Sequence, residues 1–122
     1  MKLARLIATI AVAATVTLGI AACAPTAEPI AVSSDTIVLD VRTPDEFASG
    51  HLEGAINLDV QSAEFDGLAA QLPLDAEYVV YCRSGNRSAA AIQRLEALGF
   101  TSLTDAGGME AAAASTGLAI VR

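Results

Sequence analysis

Metal and disulfide chemistry are both poorly supplied in this sequence. It holds one histidine, His51, and two cysteines, Cys23 and Cys82, far apart in the chain. A zinc site needs a cluster of such ligands at short spacing, so no metal and no other cofactor is expected. Two cysteines are too few for a disulfide framework. Positive charge is also scarce: the formal net charge is −7, and the only lysine is Lys2. So acidic a surface repels a phosphate backbone, so nucleic acid is not an expected partner. Tryptophan is absent. There is no internal repeat, and 122 residues suit one small domain rather than two.

What is present begins with an address. Lys2 and Arg5 form a basic head, and no residue from Leu6 to Ala22 is charged. A positive start, an apolar run and small residues at its end are the layout of a bacterial export signal. The run is at the lower edge of bilayer-spanning length and lacks a basic stop-transfer flank; an uncleaved anchor is the alternative. "IAAC", residues 20–23, resembles a lipobox. That likeness implies lipidation of Cys23, which would become the mature N-terminus after loss of residues 1–22. Residues 23–34 would then be a lipidated start and a flexible Pro/Ala/Ser tether, with the folded domain at 35–122 held to a membrane on its extracytoplasmic side. After residue 22 five arginines and all fourteen acids remain, a net charge of −9. An acyl chain rather than electrostatics would hold such a protein at a membrane. With Cys23 lipidated, Cys82 is an unpaired thiol in an oxidising compartment; without lipid, a Cys23–Cys82 disulfide is conceivable.

Beyond the tether, strands and helices alternate. "DTIVLDV" (35–41), "AINL" (55–58), "YVVYC" (78–82) and "TSLTDA" (101–106) read as strands. "TPDEFASG" (43–50) reads as a short helix with a Thr cap and Pro in its first turn. "SAEFDGLAAQL" (62–72) reads as a helix with Phe65, Leu68, Ala69 and Leu72 on one face. "RSAAAIQRLEALGF" (87–100) is the clearest helix, striped by Ala91, Ile92, Leu95 and Leu98. Gly107 and Gly108 are expected to open a last helix, "MEAAAAS", whose alanines suit close packing on a sheet. "GLAIV" (117–121) is an edge strand or a packed tail. The alternation predicts an α/β fold with a small, mainly parallel sheet flanked by helices.

Cys82 ends an apolar strand, and a helix follows within a few residues. That places it at the carboxyl edge of a parallel sheet, where open α/β folds bind ligands. In the loop "RSGNRS", Gly85 and Asn86 tolerate unusual dihedrals, so backbone N–H groups can converge with a helix N-terminus. Such a cradle favours thiolate over thiol, and Arg83 and Arg87 add positive charge. A cysteine ending a strand can also be a small buried hydrophobe; the loop, the helix and the two arginines favour the reactive reading.

"LDVRTPDEFASGHLEGAINL" (39–58), "VVYCRSGNRSAAA" (79–91) and "LGFTSLTDAGGMEA" (98–111) resemble the rhodanese-like domain. The likeness spans about residues 35–122 and implies a rhodanese-like fold with helices on both sheet faces, and a sulfurtransferase of the thiosulfate:cyanide or thiol type. By it, Cys82 is the nucleophile that carries a persulfide, and Arg83, Ser84, Gly85, Asn86, Arg87 and Ser88 form the loop that holds it. The partners implied are a small sulfane-sulfur donor and a thiophilic acceptor. Related phosphatases and arsenate reductases use Cys-x5-Arg; here the spacing from Cys82 to Arg87 is Cys-x4-Arg, and Ser88 stands where the longer loop has its arginine. A non-catalytic binding module is the further alternative. Asp40 and Arg42 offer acid/base groups near the active edge, and His51 offers a base; the resemblance gives all three structural roles, His51 within a "GH-x-x-GA" turn. One departure is Ala112, where the family often carries tryptophan.

Overall fold

A computed structural model describes residues 28–122 of the chain. The export signal, the lipobox and Cys23 fall outside the described residues. The central sheet has four strands, β1 (Ile37–Asp40), β3 (Ile56–Asn57), β4 (Tyr78–Cys82) and β5 (Leu103–Gly108), in the order β3-β1-β4-β5. Every pairing in it is parallel. β4 lies inside the sheet, and all five of its residues are buried. Its unbroken apolar run follows from cover on both faces.

Alternation along the strands splits the core in two. Leu39, Val41, Tyr78, Val80 and Cys82 face one side, where Phe65 and Ala69 of α2 (Phe65–Ala69) and Ala91 and Leu95 of α3 (Asn86–Ala97) meet them. Val38, Val79, Tyr81 and Ala106 face the other, beneath Ala112 of α4 (Met109–Thr116) and Leu52. Ala112 is wholly buried; with only a methyl group there, α4 can lie close to the sheet. Helices thus cover both faces, as expected.

The remaining elements fix the edges of the site. α1 (Pro44–Ser49) starts on a reciprocal cap: the Thr43 hydroxyl accepts from the Glu46 N–H, and the Glu46 carboxylate accepts from the Thr43 N–H. β2 (His51–Leu52) pairs antiparallel with β6 (Ile120–Val121), forming a second small ribbon. The tail is therefore a strand, but not of the main sheet.

Three differences from the sequence reading bear on the site and the core. α2 is a single short helix, and Leu68 is exposed rather than part of its buried face; Gly67 in mid-segment weakens a longer helix. β5 runs through Gly107 and Gly108, which the pattern assigned to the start of α4. The reason is proximity: a Cβ on Gly108 would lie 2.7 Å from the Arg83 carbonyl oxygen. Third, part of the expected tether is docked. The Ile30 N–H donates to the Ser115 carbonyl at 2.8 Å, and Ile30 and Val32 pack on the second core. Apolar side chains at alternate positions find a surface there, so the packed chain begins before residue 35.

Candidate active site

Cys82 sits where β4 ends, fully buried on the face covered by α3. The chain turns from it through Arg83, Ser84 and Gly85 into α3. Gly85 caps that helix with φ at 100°, in the left-handed region that glycine enters freely. The turn aims the Gly85 N–H at the sulfur, 2.8 Å from Cys82 Sγ. The Ser88 hydroxyl lies 3.6 Å from the same sulfur. Burial pushes the Cys82 thiol up, but backbone N–H groups of Ser88, Gly85 and Ser84, with the Ser88 hydroxyl, outweigh it and hold the thiol below its ordinary value.

The two arginines of the loop divide. Arg87 makes a two-pronged ion pair with Glu46, at 2.7 Å and 2.9 Å. It ties the start of α3 to the cap of α1 and is half-buried. The bond to Arg87 holds the Glu46 carboxyl at about 2, well below the usual range. Arg83 is exposed and lines a cleft of about 420 Å³ together with Arg42, Glu46, Ser49, Met109 and Glu110. A larger groove, about 710 Å³, runs between the Glu28–Ala31 segment and the β5 edge. It includes no residue of the Cys82–Ser88 loop, so the smaller cleft is the one that adjoins the chemistry. Asn86 opens α3 and is exposed.

Asp40 and Arg42 form a buried pair, Arg42 Nη2 to Asp40 Oδ2 at 2.6 Å, with Arg42 Nε also donating to both carboxylate oxygens. Arg42 Nη2 reaches the Gly50 carbonyl, and the Tyr81 hydroxyl donates to Asp40 at 2.7 Å while accepting from the Leu52 N–H. Burial first, then the carboxylate it serves, raises the Tyr81 phenol; the bond to Asp40 raises Arg42. This network joins β1, β4 and the turn at Gly50. Every charge in it is neutralised, which is what a buried pair requires. His51 Nδ1 lies 2.9 Å from the Phe47 carbonyl, and its ring stacks on Phe47 at 3.8 Å. The geometry thus gives the three residues scaffold contacts.

Two participants were not singled out from the sequence. Glu46 was legible only as a first-turn acid. Asp105 lies on β5, where Ala106 forms a bulge: Val80 pairs with Asp105, and Tyr81 with Gly107. Asp105 Oδ1 accepts from Ser88 Oγ at 2.8 Å and from the Gly107 N–H at 2.9 Å. Among the described residues no cluster of potential metal ligands occurs.

A buried cysteine on an N–H cradle at the start of a helix, at the carboxyl edge of a parallel sheet, defines an α/β protein of the cysteine-loop class. The comparisons name the family. The family model "Rhodanese-like domain" matches residues 27–115. Thiosulfate sulfurtransferase PspE of Escherichia coli is 33% identical over 73 residues, covering 59% of this chain and 69% of that one. A sulfurtransferase of Allochromatium vinosum is 34% identical over 92 residues, 75% of this chain and 84% of that one. Among solved structures, a rhodanese-related protein of Thermoplasma volcanium superposes with a TM-score of 0.61 at 31% identity, covering 77% of this chain and 97% of that one. A rhodanese with anions from E. coli gives 0.59 at 26% identity, covering 71% and 98%. The chain belongs to the rhodanese-like domain family.

Proposed function

We propose that this chain is a sulfurtransferase that carries a sulfane sulfur as a persulfide on Cys82. The observation that carries the reading is the Gly85 N–H 2.8 Å from a buried Sγ whose thiol is held low. The Cys82 thiolate attacks the outer sulfur of a thiosulfate-like donor; the donor's S–S bond breaks and sulfite leaves with the electron pair. An acceptor such as cyanide or a thiolate then attacks the outer sulfur of the persulfide and restores the Cys82 thiolate. Splitting the transfer in two is covalent catalysis. The loop N–H groups are fixed before either step and stabilise negative sulfur in both. Arg83, exposed at the cleft, is the loop cation available to an anionic donor, since Arg87 is held by Glu46. The names of the relatives support a thiosulfate-type donor.

Intact mass after incubation with thiosulfate tests the chemistry. One added sulfur is expected, and none in Cys82→Ser. Absence of the adduct from thiosulfate and from a polysulfide would assign the chain to the binding modules of the family. The address belongs to the same proposal: export, with lipid on Cys23 holding the domain at a membrane. Wild type should sediment with membranes and Cys23→Ala should not; equal partition would refute the anchor.

A further inference from the structure

The loop N–H groups account for one side of the sulfur, and the Ser88–Asp105 pair lies on another. Ser88 is fully buried. Its Oγ lies 2.8 Å from Asp105 Oδ1, 2.9 Å from the Gly85 carbonyl and 3.6 Å from Cys82 Sγ. A hydroxyl has one proton to donate and two lone pairs with which to accept. Of the resting acceptors around it, the carboxylate makes the strongest bond. With the Ser88 proton turned to Asp105, its lone pairs are left for the cysteine, and an S–H donating to them is stabilised as thiol.

We propose that Asp105 is a positioning residue that acts on Cys82 through Ser88, holding part of the cysteine as thiol at rest. The loop N–H groups pull toward thiolate, and Asp105 opposes them through the direction of one hydroxyl. When Cys82 ionises, its proton passes to solvent and Ser88 turns its own proton from Asp105 to the sulfur anion. Asp105 then keeps the Gly107 N–H and, being exposed, gains water. The β5 bulge is what makes this arrangement possible, since bulges re-aim side chains beside sites. A thiol at rest resists oxidation better than a thiolate.

The other charges near the sulfur are accounted for. Arg87 of α3 feels Cys82 directly, but Glu46 of α1 neutralises it, with Asp59 a weaker neighbour. Arg83 of the loop is exposed. The Asp40–Arg42 pair of β1 is internally balanced.

The proposal rests on Cys82 being the reactive group, and its test needs no sulfur donor. Full-length protein is alkylated with iodoacetamide across a pH series, and the Cys82 peptide is followed by mass. Asp105→Ala should move the midpoint to lower pH and raise the rate at pH 6 by about three- to tenfold. Asp105→Asn, which keeps a neutral acceptor for Ser88 and serves if the alanine variant does not fold, should fall between. In a Ser88→Ala background the effect of Asp105→Ala should be largely lost. An equal shift in both backgrounds would mean plain charge repulsion, and no shift or an upward one would remove Asp105 from the site; either overturns the proposal.

Discussion

At the residue scale, the geometry separates groups that the sequence presents as equals. Arg83 and Arg87 both flank the loop, yet only Arg87 has a carboxylate partner among its described contacts. Glu46→Gln should free Arg87, loosen the junction of α1 and α3, and slow Cys82 alkylation by moving the cradle. Its pH signature has a definite sign. The folded carboxyl sits at about 2, and an unfolded one titrates near 4.3. The stability that Glu46 contributes is therefore complete above about pH 5 and fades as pH falls toward 2. Chemical denaturation of wild type and Glu46→Gln should show a gap at pH 7 that narrows below pH 5 and closes only as pH nears 2; a constant gap would deny the ion pair its role. Tyr81 makes a second case. Tyr81→Phe keeps the ring but leaves Asp40 and the Leu52 N–H each short of a partner. A loss of about 1–3 kcal/mol is expected in urea titration. The Cys82 alkylation midpoint should not move, because Tyr81 faces the opposite core.

At the element scale, the site depends on the end of one strand meeting the start of one helix, and β5 closes the gap. Gly108→Ala would drive a methyl into the Arg83 carbonyl, where every near atom is Arg83–Ser84 backbone and no flexible side chain can yield. A loss of about 1–3 kcal/mol is expected, together with slower Cys82 alkylation; Gly67→Ala, which meets nothing within 4 Å, is the control and should be neutral or stabilising. Much of this scale was legible in the sequence. A β-branched run located β1, a continuous apolar run located β4, the alternation of strands and helices pointed to β5, and the Thr43 cap and Pro44 marked α1. The Cys82–Ser88 loop was legible because strand, glycine and helix follow one another within a few residues. The register shift at Ala106 was not, since a bulge depends on which strand lies alongside. For the same reason the parts Asp105 and Glu46 play at the site carried no signal: Ser88 and Arg87, their partners there, lie far off in sequence, and only the parallel crossovers bring them near.

At the scale of the whole molecule, both ends of the described chain close over the same face of the sheet. β6 pairs with β2 beside Leu52, and Ile30 and Val32 lie on the core that Leu52 shares with Ala112. Composition alone made residues 24–34 a tether, because Pro, Ala and Ser dominate. What composition misses is spacing: Ile30 and Val32 are partly covered while Ala31 between them is exposed, the alternation of an extended segment laid on a surface. If docking contributes to stability, Ile30→Ala with Val32→Ala should cost about 1–2 kcal/mol for the partly buried area lost. In a domain of this size that lowers Tm by about 4–8 °C for each kcal/mol. Ala31→Ser should leave Tm unchanged. Hydrogen exchange separates this from a general loss of stability: the Ile30 N–H should be protected in wild type through its bond to Ser115, and should exchange faster in the double variant while the β4 amides stay protected. A free tether predicts the opposite on both counts, no change in Tm and no protection at Ile30.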